Sequence, residues 1–275
     1  MGAYKNLMLA FSIYLIFYAL LGFCVQPVMH SKGAMFLVLI DSFLKDYRQL
    51  SIILLCVYVG TFGLCVCLLA SHFMYRYLAI CKPSYLIYLE GPKLFKIYIP
   101  GTFMSSLWSL GVYIMLQPTE VKSTILKEDL LKTYDIDVNN TPYVSVLYYH
   151  HDPTGKLIID WGDWSIFFLA ITIMSTCILT MITCGFKCYQ ALEKVSSMSS
   201  RTKDLNSQLF RTLIVQTVVP FCTLFTPVSL LFTIPIFSIE LGAWANGPGL
   251  YLSLYPAFDA VIVIYMIKDF KETIL

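Results

Sequence analysis

Residues 52–86 read IILLCVYVGTFGLCVCLLASHFMYRYLAICKPSYL. No charged side chain occurs from 52 to 74; Arg76 then stands between Tyr75 and Tyr77, and Lys82-Pro83 closes the stretch. An apolar helix of about 20 residues, rising about 1.5 Å per residue, matches the hydrocarbon core of a bilayer. Proline lacks an N–H and pushes the residue before it out of the helical region, so the helix is expected to end at Lys82-Pro83. The stretch reads as a membrane-crossing helix with one arginine at its rim.

Five further runs have the same character, at 7–25, 97–116, 164–186, 213–238 and 247–267. The composition agrees: 58% of the residues are hydrophobic, 15% aromatic and 13% charged, with a mean hydropathy of +0.72. A soluble domain carries about 25% charged residues. The chain is therefore read as one all-α, polytopic membrane helix bundle, residues 1–275, solvated by lipid. A weaker run at 34–40 stops at Asp41 and is too short to cross. It is expected as part of a loop dipping into the interface.

Basic residues orient the bundle. Six spans put the N-terminus, the second and fourth connections and the C-terminus on one side, with 12 basic and 5 acidic residues. The opposite side has 7 basic and 11 acidic residues. The first side is expected to be cytoplasmic, with both termini inside. The sequon Asn139-Asn140-Thr141 falls in the long acidic loop 117–163, on the expected outer side, and makes Asn139 a glycosylation candidate.

No HExxH, GxSxG or phosphate-cradling glycine loop is present, and no ladder of intramembrane arginines or potassium-filter sequence. An enzyme, a voltage sensor and a known channel filter are all disfavoured, and neither cofactor, metal nor nucleic acid is expected. Cys65 and Cys67 sit mid-run without an acid or histidine beside them, and read as packing residues. His150-His151 beside Asp152 reads as a solvated loop pair.

Arg76 reads two ways. It is a positive-inside anchor at a helix end; it is also a cation on the inner rim of a bundle, able to face a partner in one state and stay packed in another. Tyr75-Arg76-Tyr77 resembles the DRY-type end of the third helix in rhodopsin-like G-protein-coupled receptors, with Tyr75 in place of the acid, so the usual ionic restraint is absent. Tyr255-Pro256-Ala257-Phe258-Asp259 stands where such receptors carry NPxxY. Asp259 is ionisable within a span, which is costly and marks a functional candidate; the structural reading is an acid bonded to a neighbouring helix near the Pro256 kink. Pro220, Pro227 and Pro235 each remove a helix hydrogen bond. They are either tolerated kinks or a hinge for the inner end, and Pro220, Pro227, Pro256 and Asp259 form the expected helix switch. At 201–220 polar and basic positions give way to apolar ones, as in a helix extending into the cytoplasm.

Taken in order, MGAYKNLMLAFS, QPVMHSKG, HFMYRYLAIC, LLKTYDIDV, SQLFRTLIVQTVVPF, TPVSLLFTIPIF and YPAFDAVIVIYMIKDFK closely resemble the nematode serpentine seven-transmembrane chemoreceptors of class r, the Str family, which lie close to the Srj class. The family's Gly-x-Tyr-Lys element belongs to its first inner loop; here it is residues 2–5. The six runs therefore correspond to helices two to seven, and the first helix is expected to be missing, as in a truncated product or a variant receptor.

The resemblance implies a fold of the G-protein-coupled receptor type, located in the plasma membrane of sensory cilia. It implies chemosensation: a small, often volatile chemical enters from outside, and a heterotrimeric G protein reads the shift inside at Tyr75, Arg76 and Tyr77. An aromatic cavity suits such a ligand, and Tyr58, Trp108, Tyr113, Trp164 and Phe168 are the pocket candidates, against ordinary packing or an interfacial belt. The competing readings are a six-span transporter or channel subunit, which an internal repeat would favour and none is seen, and a truncated, non-functional receptor.

Overall fold

The computed structural model describes residues 2–194 and 200–266. In chain order the elements are α1 (Gly2–Val25), β1 (Pro27–Lys32), β2 (Met35–Ile40), α2 (Arg48–Cys81), α3 (Ile99–Met115), α4 (Glu120–Tyr134), β3 (Tyr143–Leu147), β4 (Tyr149–His151), β5 (Leu157–Ile159), α5 (Trp161–Lys194), α6 (Ser200–Pro220), α7 (Thr226–Thr233) and α8 (Asn246–Met266). Two 3₁₀ segments, Pro83–Leu89 and Gly91–Tyr98, join α2 to α3. The residues Lys268, Asp269, Lys271 and Glu272, used above for orientation, lie outside the described residues.

The fold is a membrane helical bundle. α2 is its axis, buried along its length on most sides and packed against α5, α3 and α1. It ends at Cys81, and Lys82 leaves the helical region before Pro83, at φ −141° and ψ 56°, as the pre-proline clash favours. Among the described residues, three helical stretches are each long and apolar enough to cross a membrane: Tyr4–Val25, Arg48–Cys81 and Trp161–Glu193. The run at 213–238 is helical but broken at its prolines. α6 stops at Pro220, a π-turn occupies Phe221–Phe225, α7 carries Pro227 in its first turn, and a 3₁₀ turn with Pro235 follows. Each change of helix type falls where a proline has removed an N–H.

The connections after α1 and α3 form a cap that hydropathy did not reveal. Residues 34–40, expected as a loop in the interface, supply instead the central strand of an antiparallel sheet ordered β1-β2-β3. Gly33, at φ +54°, opens the two-residue turn between Lys32 and Met35, the position that favours glycine in such hairpins. Phe36, Val38 and Ile40 face the bundle with Val144 and Val146, reaching Trp108, Val112 and Phe232. Met35, Leu37 and Leu39 face the other way with Tyr143 and Leu147, onto Leu126 and Leu130 of α4. A strand covered on both faces has no polar alternation, which is why MFLVLI looks like a fragment of a span.

Lys122 fixes α4 to this layer. Its Nζ lies 2.8 Å from Asp163 in the first turn of α5 and donates to the Ser145 carbonyl at 3.0 Å. Asp163 also accepts from the Leu147 N–H at 2.6 Å, so one buried ion pair joins α4, β3 and α5.

Candidate functional site: a buried arginine and a buried acid

His72, Tyr75 and Arg76 share one face of α2, three and four residues apart. All three meet Tyr4, in the first turns of α1. The Tyr4 ring stacks on Tyr75 with centroids 5.8 Å apart and meets His72 edge-on at 5.9 Å. The guanidinium carbon of Arg76 lies 3.6 Å from the Tyr4 ring centroid. Arg76 is only 3% exposed, and no acid lies within ion-pair distance of it among the described residues. Its Nε and Nη2 are buried without a hydrogen-bond partner.

Below Tyr4 the polar groups are chained. Tyr98 donates to the Leu7 carbonyl at 3.1 Å and so accepts from His72 Nε2 at 2.6 Å, which assigns the proton of the ring to Nε2. Tyr4, Leu7, Tyr75, Leu94 and Leu209 form a small apolar cluster around this knot, joining α1, α2, the 3₁₀ segment before α3, and α6. Tyr77, the third of the expected partner contacts, is half-buried, with Lys187 Nζ 5.4 Å from its ring. Tyr75 and Arg76 are thus held inward, not presented at the surface.

Asp259 is also buried. Gln216 of α6 donates its Nε2 to both carboxylate oxygens, at 3.0 and 3.2 Å. Gln216 is four residues before Pro220, so its own carbonyl lacks the N–H that a regular helix would offer. Tyr255, one turn before Asp259, is buried with its hydroxyl unpartnered. Of the expected switch residues, Pro220 and Asp259 are brought together through Gln216, while Pro227 lies beyond the π-turn and Pro256 lies inside α8 between Tyr255 and Asp259. Sequence reasoning missed Gln216, although an amide inside LIVQTVV was a signal.

The five expected pocket aromatics do not converge. Tyr58 stacks on Tyr18, centroids 5.4 Å apart, and lines a groove of about 580 Å³ between α1 and α8. Tyr113 accepts from Gln49 at 3.0 Å and lines another groove, of about 490 Å³, between α2 and α3. Trp108 is buried beneath the sheet, where it lines a small void of about 20 Å³ with Phe36, Val144 and Phe232. Trp164 donates to the Tyr148 carbonyl at 3.2 Å, and Phe168, stacked on it, is 54% exposed on the outside of the bundle.

The cap has its own polar network. His30 Nε2 lies 2.6 Å from Asp129, and its Nδ1 lies 3.3 Å from the Tyr134 hydroxyl. Asn246, the first residue of α8, donates to Tyr134 at 3.0 Å and accepts from the Met29 N–H at 2.7 Å. Lys32 bridges Glu240 at 3.0 Å and Asp129 at 3.5 Å; its hydrogen bond to Glu240 raises its pKa. Burial raises that of Tyr134. α8 therefore joins the cap at Asn246 to the buried acid at Asp259, about 20 Å away along one helix. Asn139 is exposed in the turn after α4, where Arg48 Nη1 donates to its carbonyl at 2.8 Å.

The family described as "Serpentine type 7TM GPCR chemoreceptor Str" matches residues 1–275. "Serpentine receptor class r-10" of Caenorhabditis briggsae is 30% identical over 275 residues, covering 100% of this chain and 80% of the relative. "G-protein coupled receptor str-33" of Caenorhabditis elegans is 24% identical over 281 residues, covering 98% and 79%. "Serpentine receptor class J-38" of the same organism is 24% identical over 286 residues, covering 99% and 82%.

Proposed function

The chain belongs to the serpentine Str family of G-protein-coupled chemoreceptors, and on that premise we propose that it detects a small external chemical and signals to a heterotrimeric G protein. The family is one of multi-pass membrane receptors, not of enzymes. In the proposed arrangement the six apolar runs cross the plasma membrane of sensory cilia. Both ends of the chain are cytoplasmic, and Asn139 carries a glycan outside.

Ligand binding in the outer half favours one arrangement of cap and bundle over another; a ligand acts only through that difference in affinity. Tyr58, Trp108, Tyr113, Trp164 and Phe168 remain the aromatic contacts to test. The signal passes down α8 and α6, where Pro220, Pro227 and Pro256 let the helices bend around the Gln216–Asp259 link. At the inner rim Tyr75, Arg76 and Tyr77 become the G-protein contact. The observation that carries this reading is Arg76 itself: a buried guanidinium with two unpartnered nitrogens, at the end of the helix that forms the axis of the bundle.

The test is co-expression with G proteins in a cell line during an odorant screen, comparing wild type with Arg76→Ala for surface level and activation. The expected result is an odorant that activates wild type, with the variant reaching the surface but silent. A variant at normal surface level that signals like wild type removes Arg76 from the mechanism.

A further inference from the structure

We propose that Tyr4 is the positioning residue that holds Arg76 in its packed orientation, doing with a ring face what an acid beside the arginine does in DRY-type receptors. The inference rests on the coupling reading above for its consequence, but not for its geometry. A guanidinium taken out of water needs compensation for its lost hydration. Around Arg76 no acid supplies it among the described residues, and two of its three nitrogens have no hydrogen-bond partner. What does lie against the charge is the face of Tyr4, 3.6 Å from the guanidinium carbon, well inside the range of about 6 Å over which a ring quadrupole attracts a cation.

Tyr4 is itself held. It stacks on Tyr75 and meets the edge of His72, so its ring is gripped by the same helix face that carries Arg76. Leu209 of α6 packs in the same cluster as Tyr4, so movement of the inner end of α6 reaches the ring. Once Tyr4 withdraws, Nε and Nη2 of Arg76 become available to a segment presenting carbonyl or carboxylate oxygens. The substitution of Tyr75 for the acid is thereby compensated from another helix, by a residue 72 positions before Arg76 in the chain.

The experiment uses the full chain in lipid nanodiscs, with Tyr4, Tyr4→Phe, Tyr4→Leu, and a trifluorinated phenylalanine installed at position 4. Fluorination keeps the shape of the ring and drains its face of negative charge, so a purely packing role would not register it. Arg76 accessibility is read by vicinal-dicarbonyl labelling and peptide mass spectrometry, with the exposed Arg48 as the internal reference. The expected result is slow labelling of Arg76 in wild type and Tyr4→Phe, and roughly fivefold to thirtyfold faster labelling with the fluorinated ring and with leucine. Equal rates for the plain and fluorinated rings overturn the proposal, as does a wild-type Arg76 that labels as fast as Arg48. Basal nucleotide exchange on a panel of purified heterotrimeric G proteins is measured alongside. Exchange rising with labelling supports both readings. Labelling that rises while no variant, wild type included, drives exchange supports the Tyr4 role and overturns G-protein coupling.

Discussion

Gln216 on α6 holds both carboxylate oxygens of Asp259 on α8 with a single amide nitrogen, at 3.0 and 3.2 Å. A buried acid bonded by its neighbour is stable; the same acid with its partner removed is costly, because burial denies it water. Gln216→Leu is therefore expected to destabilise the chain by about 1–3 kcal/mol or more, read as a lowered thermal midpoint in detergent. Asp259→Asn keeps an amide oxygen to accept from Gln216 and is expected to cost less than about 1 kcal/mol. Equal midpoints for Gln216→Leu and wild type remove the pair from the energetics of the bundle.

The Lys122–Asp163 pair gives a second, sharper case. Both side chains are almost fully buried, 2.8 Å apart, and each makes a further backbone hydrogen bond. Removing one partner leaves an uncompensated charge in the core, a loss of about 3–5 kcal/mol, whereas replacing both with apolar groups is often neutral. Lys122→Met alone is expected to unfold the cap, seen as rapid amide exchange in β3 and α4. Lys122→Met with Asp163→Leu is expected to recover most of the protection. A double variant no better than the single one assigns the loss to shape and not to charge.

These two pairs also mark what the sequence could and could not disclose. The helices were legible because a long uncharged apolar run has one economical solution in lipid. The strand at Met35–Ile40 carries the same apolar signal in a shorter piece, and burial on both faces erased the alternation that separates strand from loop. Asp259 was visible as an ionisable group in a span; its partner Gln216 was visible only as an odd amide, since nothing local says that α6 and α8 meet there. Tyr4 and Arg76 are joined by topology alone. The pocket aromatics were chosen by residue type and depth, and the direction in which each side chain points is not written in either: Phe168 faces outward while Trp108 lies under the sheet.

The cap is expected to loosen in alkali. Lys32 has its pKa raised above the ordinary 10.5, first by its hydrogen bond to Glu240. Burial raises Tyr134 and Tyr143 above the ordinary 10.0. Each group keeps its proton longer in the folded cap than in an unfolded chain. Their contribution is thus complete below the unfolded values and is lost as pH rises through the folded ones. Cap protection, followed by amide exchange corrected for the intrinsic rate, should be flat between about pH 7 and 9 and fall above about pH 10. Tyrosinate absorbance should rise with the loss of protection. Protection that stays flat after the tyrosines have ionised contradicts the assignment.

The contact between α2 and α3 depends on a missing side chain. A Cβ placed on Gly63 would lie 2.5 Å from Cε3 and 2.6 Å from Cζ3 of Trp108. The indole is 3% exposed, and the void it shares with Phe36, Val144 and Phe232 is only about 20 Å³, so little room is left for the ring to shift. Gly63→Ala is therefore expected to overpack the joint between bundle and cap and to cost about 1–3 kcal/mol. The loss is measured as the thermal midpoint of the full chain in detergent. Combining it with Trp108→Leu removes the obstructing ring and should leave the alanine nearly without cost relative to Trp108→Leu alone. Gly247→Ala serves as the control, since a Cβ there meets nothing within 4 Å. If Gly63→Ala lowers the midpoint no more than Gly247→Ala, then α2 and α3 can part without penalty, and the sheet does not rest on Trp108 as firmly as this packing requires.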